Sequence, residues 1–161
     1  GCGRSGVHTV AARRSEPAIV ALDTSCIVAL VSAWHAHHEI TAEALERRLD
    51  KGARITVPAH ALTEAYAVLT KLPAPNRISP SDAMNVLREN FGKDARIETL
   101  EPHEYWSLLH DAPAKRVYGG RIYDGIIAAC ARKAGARELL TLNLKHFESL
   151  GDGSLVITSP A

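Results

Sequence analysis

The chain has 161 residues, of which 46% are hydrophobic and 23% charged, and its formal net charge is +1. This size and balance predict one globular domain with a single hydrophobic core and exclude a disordered chain. No apolar run approaches the length of a membrane span, and the nearly neutral charge permits a nucleic-acid partner without indicating one.

The start of the chain and the cysteines set further expectations. We expect residues 1–17 to be a flexible leader or a cloning remnant, because Gly, Ser and Arg there cannot bury area, and the domain to occupy residues 18–161. Cys2, Cys26 and Cys130 form no CxxC motif, and the latter two lie in apolar runs. We therefore expect buried thiols, a reducing compartment and a cytoplasmic location.

Short apolar runs alternate with stretches of helical periodicity along the chain. The predicted strands are 19–22, 54–57, 95–100, 138–142 and 155–158. The predicted helices are 25–34, 37–51, 59–72, 80–91, 102–111 and 121–134. Because strands that alternate with helices form parallel sheets covered on both faces, we expect a three-layer α/β/α domain.

Asp23 directly follows the first predicted strand. In an open parallel sheet, ligands bind beyond the carboxyl ends of the strands, and Asp23 is predicted to lie at that edge. Thr24 and Ser25 follow as candidate N-cap residues of the next helix. A purely structural role for Asp23, as a cap of that helix, stays open at this point.

Glu64 lies near the start of the helix predicted over 59–72. Leu62, Tyr66 and Leu69 define one apolar face of that helix, and Glu64 lies about 200° from Leu62 around the helix axis. Small or apolar residues surround Glu64 on its own side, so it does not resemble an ordinary solvent-exposed residue. The alternative is a first-turn glutamate that favours the positive end of the helix dipole.

Asp124 is the most specific acidic position. It opens a predicted helix that is apolar almost all round, in the segment GGRIYDGIIAACA. A buried carboxylate costs several kcal/mol unless a cation or hydrogen-bond donors compensate it, whereas a helix dipole supplies only about 0.3–1 kcal/mol. A cation site is therefore favoured over a satisfied cap.

Asn143 follows the fourth predicted strand and is expected on the same edge as Asp23, either as a neutral oxygen ligand or as a turn residue. Carboxylates gathered on one edge repel each other unless a hard cation lies between them. Asp23, Glu64 and Asp124 with Asn143 offer only oxygen ligands, which suit Mg²⁺ or Mn²⁺, whereas zinc prefers His or Cys.

At these residues the chain resembles the PIN-domain family, and within it the VapC-type toxins of type II toxin–antitoxin pairs. The matching segments are VALDTSCIVAL around Asp23, TEAYAVLTKLP around Glu64, GGRIYDGIIAACA around Asp124 and LLTLNLKHF around Asn143. Their order and spacing cover nearly all of residues 19–160, and the set is much more specific than any one segment.

The resemblance implies an activity and partners. It implies a Mg²⁺-dependent endoribonuclease, with Mn²⁺ as a substitute, that cleaves single-stranded or structured RNA such as tRNA or rRNA and thereby inhibits translation and growth. It also implies a homodimer and a cognate VapB-type antitoxin that covers the site.

The resemblance also assigns roles to residues. Asp23, Glu64 and Asp124 match acidic positions of the family, with Glu64 as a ligand directly or through water. The fourth family position is often Asp, and Asn143 there removes one negative charge, so we expect it to be an outer or weak ligand.

Three further residues are predicted to support the site. We expect Thr24 or Ser25 to bond a ligand oxygen or a metal-bound water. Arg121 is a candidate contact for a substrate phosphate, although a solvated surface arginine is an equally ordinary role for it.

Several other patterns are interpreted without a role in the site. His35, His37 and His38 do not present convergent metal ligands, so we expect exposed loop residues. Trp34 and Trp106 could stack bases, but buried or interface packing is the favoured interpretation.

The family resemblance also suggests a groove for a partner peptide on the first two helices. Its candidate apolar residues are Ile27, Val31, Ile40 and Leu45.

Three other functions compete with the nuclease. A phosphatase of the haloacid-dehalogenase type would have a second Asp after Asp23, in DxDxT, but the chain has DTSCI. A receiver-like domain is suggested by Thr141, but no Lys ends the fifth strand. A catalytically weak binding module is supported only by Asn143, and a cleavage assay with and without chelator would separate it from an enzyme.

Overall fold

The computed structural model describes residues 16–161, so the predicted leader lies almost entirely outside the described part of the chain. Five parallel strands form one sheet in the order β3-β2-β1-β4-β5. The strands are β1 (Ile19–Leu22), β2 (Arg54–Pro58), β3 (Arg96–Glu98), β4 (Glu138–Leu140) and β5 (Val156–Thr158). The predicted α/β/α architecture with a central parallel sheet is confirmed.

All six predicted helices are present, and one short helix was missed. The helices are α1 (Thr24–Val31), α2 (His38–Asp50), α3 (Ala59–Lys71), α4 (Pro80–Phe91), α5 (Pro102–Asp111), α6 (Arg121–Lys133) and α7 (Leu144–Phe147). A short 3-10 turn, Glu148–Leu150, follows α7. Sequence periodicity did not reveal α7 because four residues make barely one helical turn.

The strand order creates a crevice beside β1. From β1 the chain winds outward through β2 to β3, and it then returns to the other side of β1 to form β4 and β5. Connections therefore leave β1 and β4 in opposite directions, which opens a space at the carboxyl ends of these two neighbouring strands. Asp23 follows β1 and Thr141 follows β4, so both lie at this switch point.

The strands in the middle of the sheet have continuous apolar sequences because both of their faces are buried in the core. Val20 to Leu22 of β1 are buried, as are Leu139 and Leu140 of β4, because helices cover the sheet. Ile127 of α6 is only 1% exposed and belongs to the same core cluster. This packing fixes the strand ends from which the candidate site is built.

Several packing predictions were wrong. On α3, Ala61, Ala65 and Leu69 are buried, whereas Tyr66 is exposed. The buried face of α3 therefore lies on the side of the alanines and not on the side of Tyr66. Glu64 lies beside this face and accepts a hydrogen bond from Thr24 at the start of α1.

The two tryptophans are not buried in the chain, so of the two predicted roles only packing at an interface stays a prediction. Trp34 is 48% exposed in the turn between α1 and α2, and Trp106 is 71% exposed on α5, a helix that has no buried residue. Of the clustered histidines, His37 is exposed, whereas His35 and His38 are half-buried and His38 Nδ1 lies 2.8 Å from the carbonyl oxygen of Ala29.

The proposed peptide groove does not exist as predicted. Ile27 and Leu45 are buried core residues and Val31 packs against the core, so only Ile40 of that set is exposed. The helical spacing that suggested a groove is the spacing by which α1 and α2 pack into the domain.

Two remaining observations concern cysteine and membrane segments. In the part of the chain that the structure describes, Cys26 and Cys130 are buried free thiols, as predicted, and Cys2 lies outside it. None of the helices within residues 16–161 combines the length and apolar character needed to cross a bilayer.

Candidate active site

Asp23 is held tightly at the carboxyl end of β1. Its carboxylate Oδ1 accepts hydrogen bonds from the Ser25 hydroxyl at 2.6 Å and the Cys26 backbone N–H at 3.0 Å. Its Oδ2 accepts one from the Thr141 hydroxyl at 2.6 Å. Asp23 is thus itself the N-cap of α1, and the prediction of Thr24 and Ser25 as cap residues was wrong.

Capping α1 uses only part of the hydrogen-bonding capacity of the Asp23 carboxylate. Among the described residues, three hydrogen bonds from oxygen or nitrogen donors reach the two oxygens of Asp23, which have about four acceptor positions between them. Burial raises the pKa of Asp23, and the hydrogen bonds from Ser25, Thr141 and Cys26 oppose that rise. A buried carboxylate whose charge is offset only by hydrogen bonds is suited to a ligand that carries positive charge.

Glu64 is fixed by one contact on each oxygen. The Thr24 hydroxyl donates to Oε2 at 2.7 Å, and His60 Nε2 lies 2.8 Å from Oε1. Thr24 is the residue next to Asp23, so this hydrogen bond joins α3 to the loop that carries the first carboxylate. The side chain of Glu64 is half-buried and cannot turn without losing one of these contacts.

Asp124 lies in the first turn of α6, and the other two carboxylates affect its pKa. Burial raises its pKa, and the negative charges of Glu64 and Asp23 raise it further, whereas His146 and Arg121 lower it. The structure therefore places Glu64 and Asp23 within electrostatic reach of Asp124. Within residues 16–161, however, no three His, Cys, Asp or Glu side chains form a ready-made cage around an ion.

Thr141 is a site residue that the sequence analysis did not assign to the nuclease site. Its hydroxyl donates to Asp23 and accepts from the backbone N–H of Asn143 at 2.9 Å. Ser25 makes a parallel link, because its oxygen accepts from the Leu142 backbone N–H at 2.9 Å. These bonds fasten the loop after β4 to the carboxylate after β1. A threonine at a strand end carries no sequence signal for such a role.

Asn143 stands at the N-cap position of α7, and its side chain is exposed and makes no capping hydrogen bond. Arg121 is engaged elsewhere, since Nη2 donates to the Ser149 hydroxyl at 2.6 Å and lies 3.4 Å from the His146 carbonyl oxygen. Arg121 therefore holds the segment around α7 in place, and its charge lowers the pKa of the nearby Asp124.

The chemistry of the donors fits a hard divalent cation. Asp23, Glu64 and Asp124 provide carboxylate oxygens. Burial and, to a smaller extent, the charges of Glu64 and Asp23 raise the pKa of Asp124, and a cation would offset both effects. Thr24 and His60 hold Glu64 with one contact on each oxygen, and each of these oxygens keeps an acceptor position for an ion or a water. Mg²⁺ commonly keeps several waters and uses one or two carboxylates, which suits this arrangement.

A parallel sheet covered by helices, with acidic residues at its switch point, is typical of α/β proteins that bind their ligands at the carboxyl ends of the strands. A PIN domain is matched over residues 20–152. The chain belongs to the PIN-domain family and, within it, to the VapC type. Nucleases of this family generally depend on a divalent metal ion.

Two curated relatives are from Mycobacterium tuberculosis. The chain is 34% identical over 131 residues to Ribonuclease VapC40, covering 81% of this chain and 91% of that protein. It is 30% identical over 135 residues to Ribonuclease VapC27, covering 82% and 92%. A solved structure of VapBC2 from Rickettsia felis, bound to a promoter DNA fragment, is similar with a TM-score of 0.63 and 22% identity, covering 88% of this chain and 98% of that chain.

Proposed function

We propose that this chain is a Mg²⁺-dependent endoribonuclease toxin, able to use Mn²⁺, that hydrolyses phosphodiester bonds in tRNA or rRNA and so inhibits translation. The observation that supports the proposal is the hydrogen bond from Thr24, the residue after Asp23, to Glu64 at the switch point of the sheet. The charges of both carboxylates also raise the pKa of Asp124, which burial raises most. Membership of the PIN-domain family supports RNA as the substrate.

In the proposed mechanism some residues would bind the ion and another would orient the attacking water. A bound Mg²⁺ would neutralise charge on the phosphate and lower the pKa of a bound water. Asp23 and Asp124 would hold the ion. Glu64, fixed by Thr24 and His60, would accept a hydrogen bond from the attacking water and orient it.

The surrounding residues would keep this geometry. Ser25 and Thr141 hold the carboxylate of Asp23, and Asn143 would be an outer ligand through its amide oxygen. Arg121 fixes the segment after α7 and adds positive charge near Asp124.

A VapB-type antitoxin and a second copy of the chain are the proposed protein partners. The similar structure from Rickettsia felis contains VapBC2, which supports an antitoxin partner for this chain. Expression of the chain alone is expected to arrest growth, and co-expression with the product of a short upstream gene for a DNA-binding protein is expected to restore it.

The phosphatase alternative loses support from the structure. Its mechanism needs an acidic residue two positions after Asp23, and that position is Ser25, which donates to Asp23 and cannot act as an acid. The weak binding module remains a second candidate, favoured only by the missing charge at Asn143.

The test is cleavage of single-stranded RNA by the purified chain with Mg²⁺, with Mn²⁺ and with EDTA. We expect cleavage only with a divalent ion, and a loss of about 100-fold or more in Asp124→Asn, because one carboxylate that stabilises the transition state through the ion is removed. Asp111→Asn, an exposed aspartate at the end of α5, is the matched control. Full activity in EDTA or in Asp124→Asn would refute the proposed function.

A further inference from the structure

Two aromatic rings stack on each other beside the acidic residues. The rings of His60 and Tyr123 have centroids 5.1 Å apart and planes inclined by only 14°. His60 lies in the first turn of α3 and Tyr123 in the first turn of α6, so the stack connects the two helices that carry Glu64 and Asp124. Among the described residues, the other close aromatic pairs are tilted by more than 40°.

Each ring of the stack is next to one of the proposed active-site carboxylate residues. His60 Nε2 lies 2.8 Å from Glu64 Oε1, and Tyr123 is the residue immediately before Asp124. A substrate phosphate bound at the carboxylates would therefore bring a neighbouring nucleotide close to these rings.

Neither ring is part of the core. Tyr123 is 49% exposed and the His60 side chain 27% exposed, and neither belongs to the core cluster around the sheet. Core packing therefore does not account for two flat rings held parallel at this position. Exposed aromatic rings in a nucleic-acid site provide stacking surfaces for unpaired bases.

We propose that His60 and Tyr123 form a platform on which a base of the single-stranded RNA substrate stacks, next to the phosphate that is cleaved. This inference rests on the proposed ribonuclease function and adds a base-binding subsite to it.

Binding can be tested without cleavage. The probe is a 2′-O-methyl single-stranded octanucleotide that carries 2-aminopurine at each position in turn, since stacking quenches 2-aminopurine fluorescence. Ca²⁺ replaces Mg²⁺ in the assay, so that a cation with a preference for oxygen ligands still offsets the charge of the carboxylates. We expect the wild-type chain to quench one or two positions, and Tyr123→Phe, which keeps a ring, to do the same. Tyr123→Leu is expected to bind roughly 10-fold more weakly or worse and to lose the quenching.

Tyr105→Leu is the matched control, because Tyr105 on α5 is similarly exposed, at 42%, and is expected to leave binding and quenching unchanged. Circular dichroism of each variant checks the fold. Wild-type quenching in Tyr123→Leu, or no quenching at any position by the wild type, would overturn the platform. RNA cleavage by the wild type is measured separately, so loss of the platform with cleavage intact leaves the proposed function standing, whereas absence of metal-dependent cleavage refutes that function itself.

Discussion

At the scale of single residues, Thr141 joins two neighbouring parts of the site through one hydroxyl group. It donates to Asp23 and accepts from Asn143, so the hydroxyl fixes the orientation of a proposed metal ligand. We predict that Thr141→Val lowers Mg²⁺ affinity or the cleavage rate by roughly 10–100-fold, as is usual for partners of metal ligands. Thr56→Val is the control, because the Thr56 hydroxyl donates to the Arg96 carbonyl away from the site. Equal loss in both variants would argue against a specific role for Thr141.

Asp124 provides a second prediction at this scale, for the protein in EDTA. Its pKa is raised in the folded state by burial and by neighbouring carboxylates, so its contribution to stability is present at low pH and is lost as pH rises through the folded pKa. We therefore predict that Asp124→Asn has a higher Tm than the wild type at pH 7, and that the difference shrinks as pH falls toward about 4. Thermal unfolding checks this, with Asp111→Asn as the control. A lower Tm for Asp124→Asn at pH 7 would contradict the repulsion between carboxylates.

At the scale of elements, α6 positions Asp124 through its buried face. Ile127 follows Asp124 by three residues and is 1% exposed in the core. We predict that Ile127→Ala lowers the free energy of unfolding by about 2–5 kcal/mol, because it leaves a cavity beneath the sheet. Ile97→Ala is the control, since Ile97 on the edge strand β3 is 40% exposed and should cost much less. Urea unfolding measures both, and a similar cost for the two would show that α6 is not anchored as described.

The elements also show what sequence can predict. The five strands and six longer helices were found because apolar runs and helical spacing directly reflect burial. The positions of Asp23 and Asp124 at element ends followed from the same pattern. Helix α7 was missed because it is too short to show a period, and Tyr66 was misplaced because spacing alone does not fix which of two adjacent faces is buried.

The contacts within the site lay beyond sequence reasoning for a different reason. The Thr141 hydroxyl and Asp23 are 118 residues apart along the chain, and the Thr24 hydroxyl and Glu64 are 40 apart. Such hydrogen bonds exist only once β1, β4 and α3 have packed together. Sequence could nominate the carboxylates, but only the fold reveals which hydroxyl groups hold them.

At the scale of the whole molecule, the strand order concentrates acidic side chains where two connections diverge. One carboxylate follows β1 and the others lie on α3 and α6, and Glu64 and Asp23 raise the pKa of Asp124 while His146 and Arg121 lower it. In the proposed site a bound ion would offset the repulsion that Glu64 and Asp23 exert on Asp124, so the ion is expected to stabilise the domain.

Titration of Mn²⁺ and Mg²⁺ into the purified chain by isothermal calorimetry tests this account most directly. We predict that the wild type binds the divalent ion and that Asp23→Asn and Asp124→Asn each weaken binding by about 10-fold or more, whereas Asp111→Asn binds like the wild type. Undiminished affinity in both Asp23→Asn and Asp124→Asn would contradict a shared cation site.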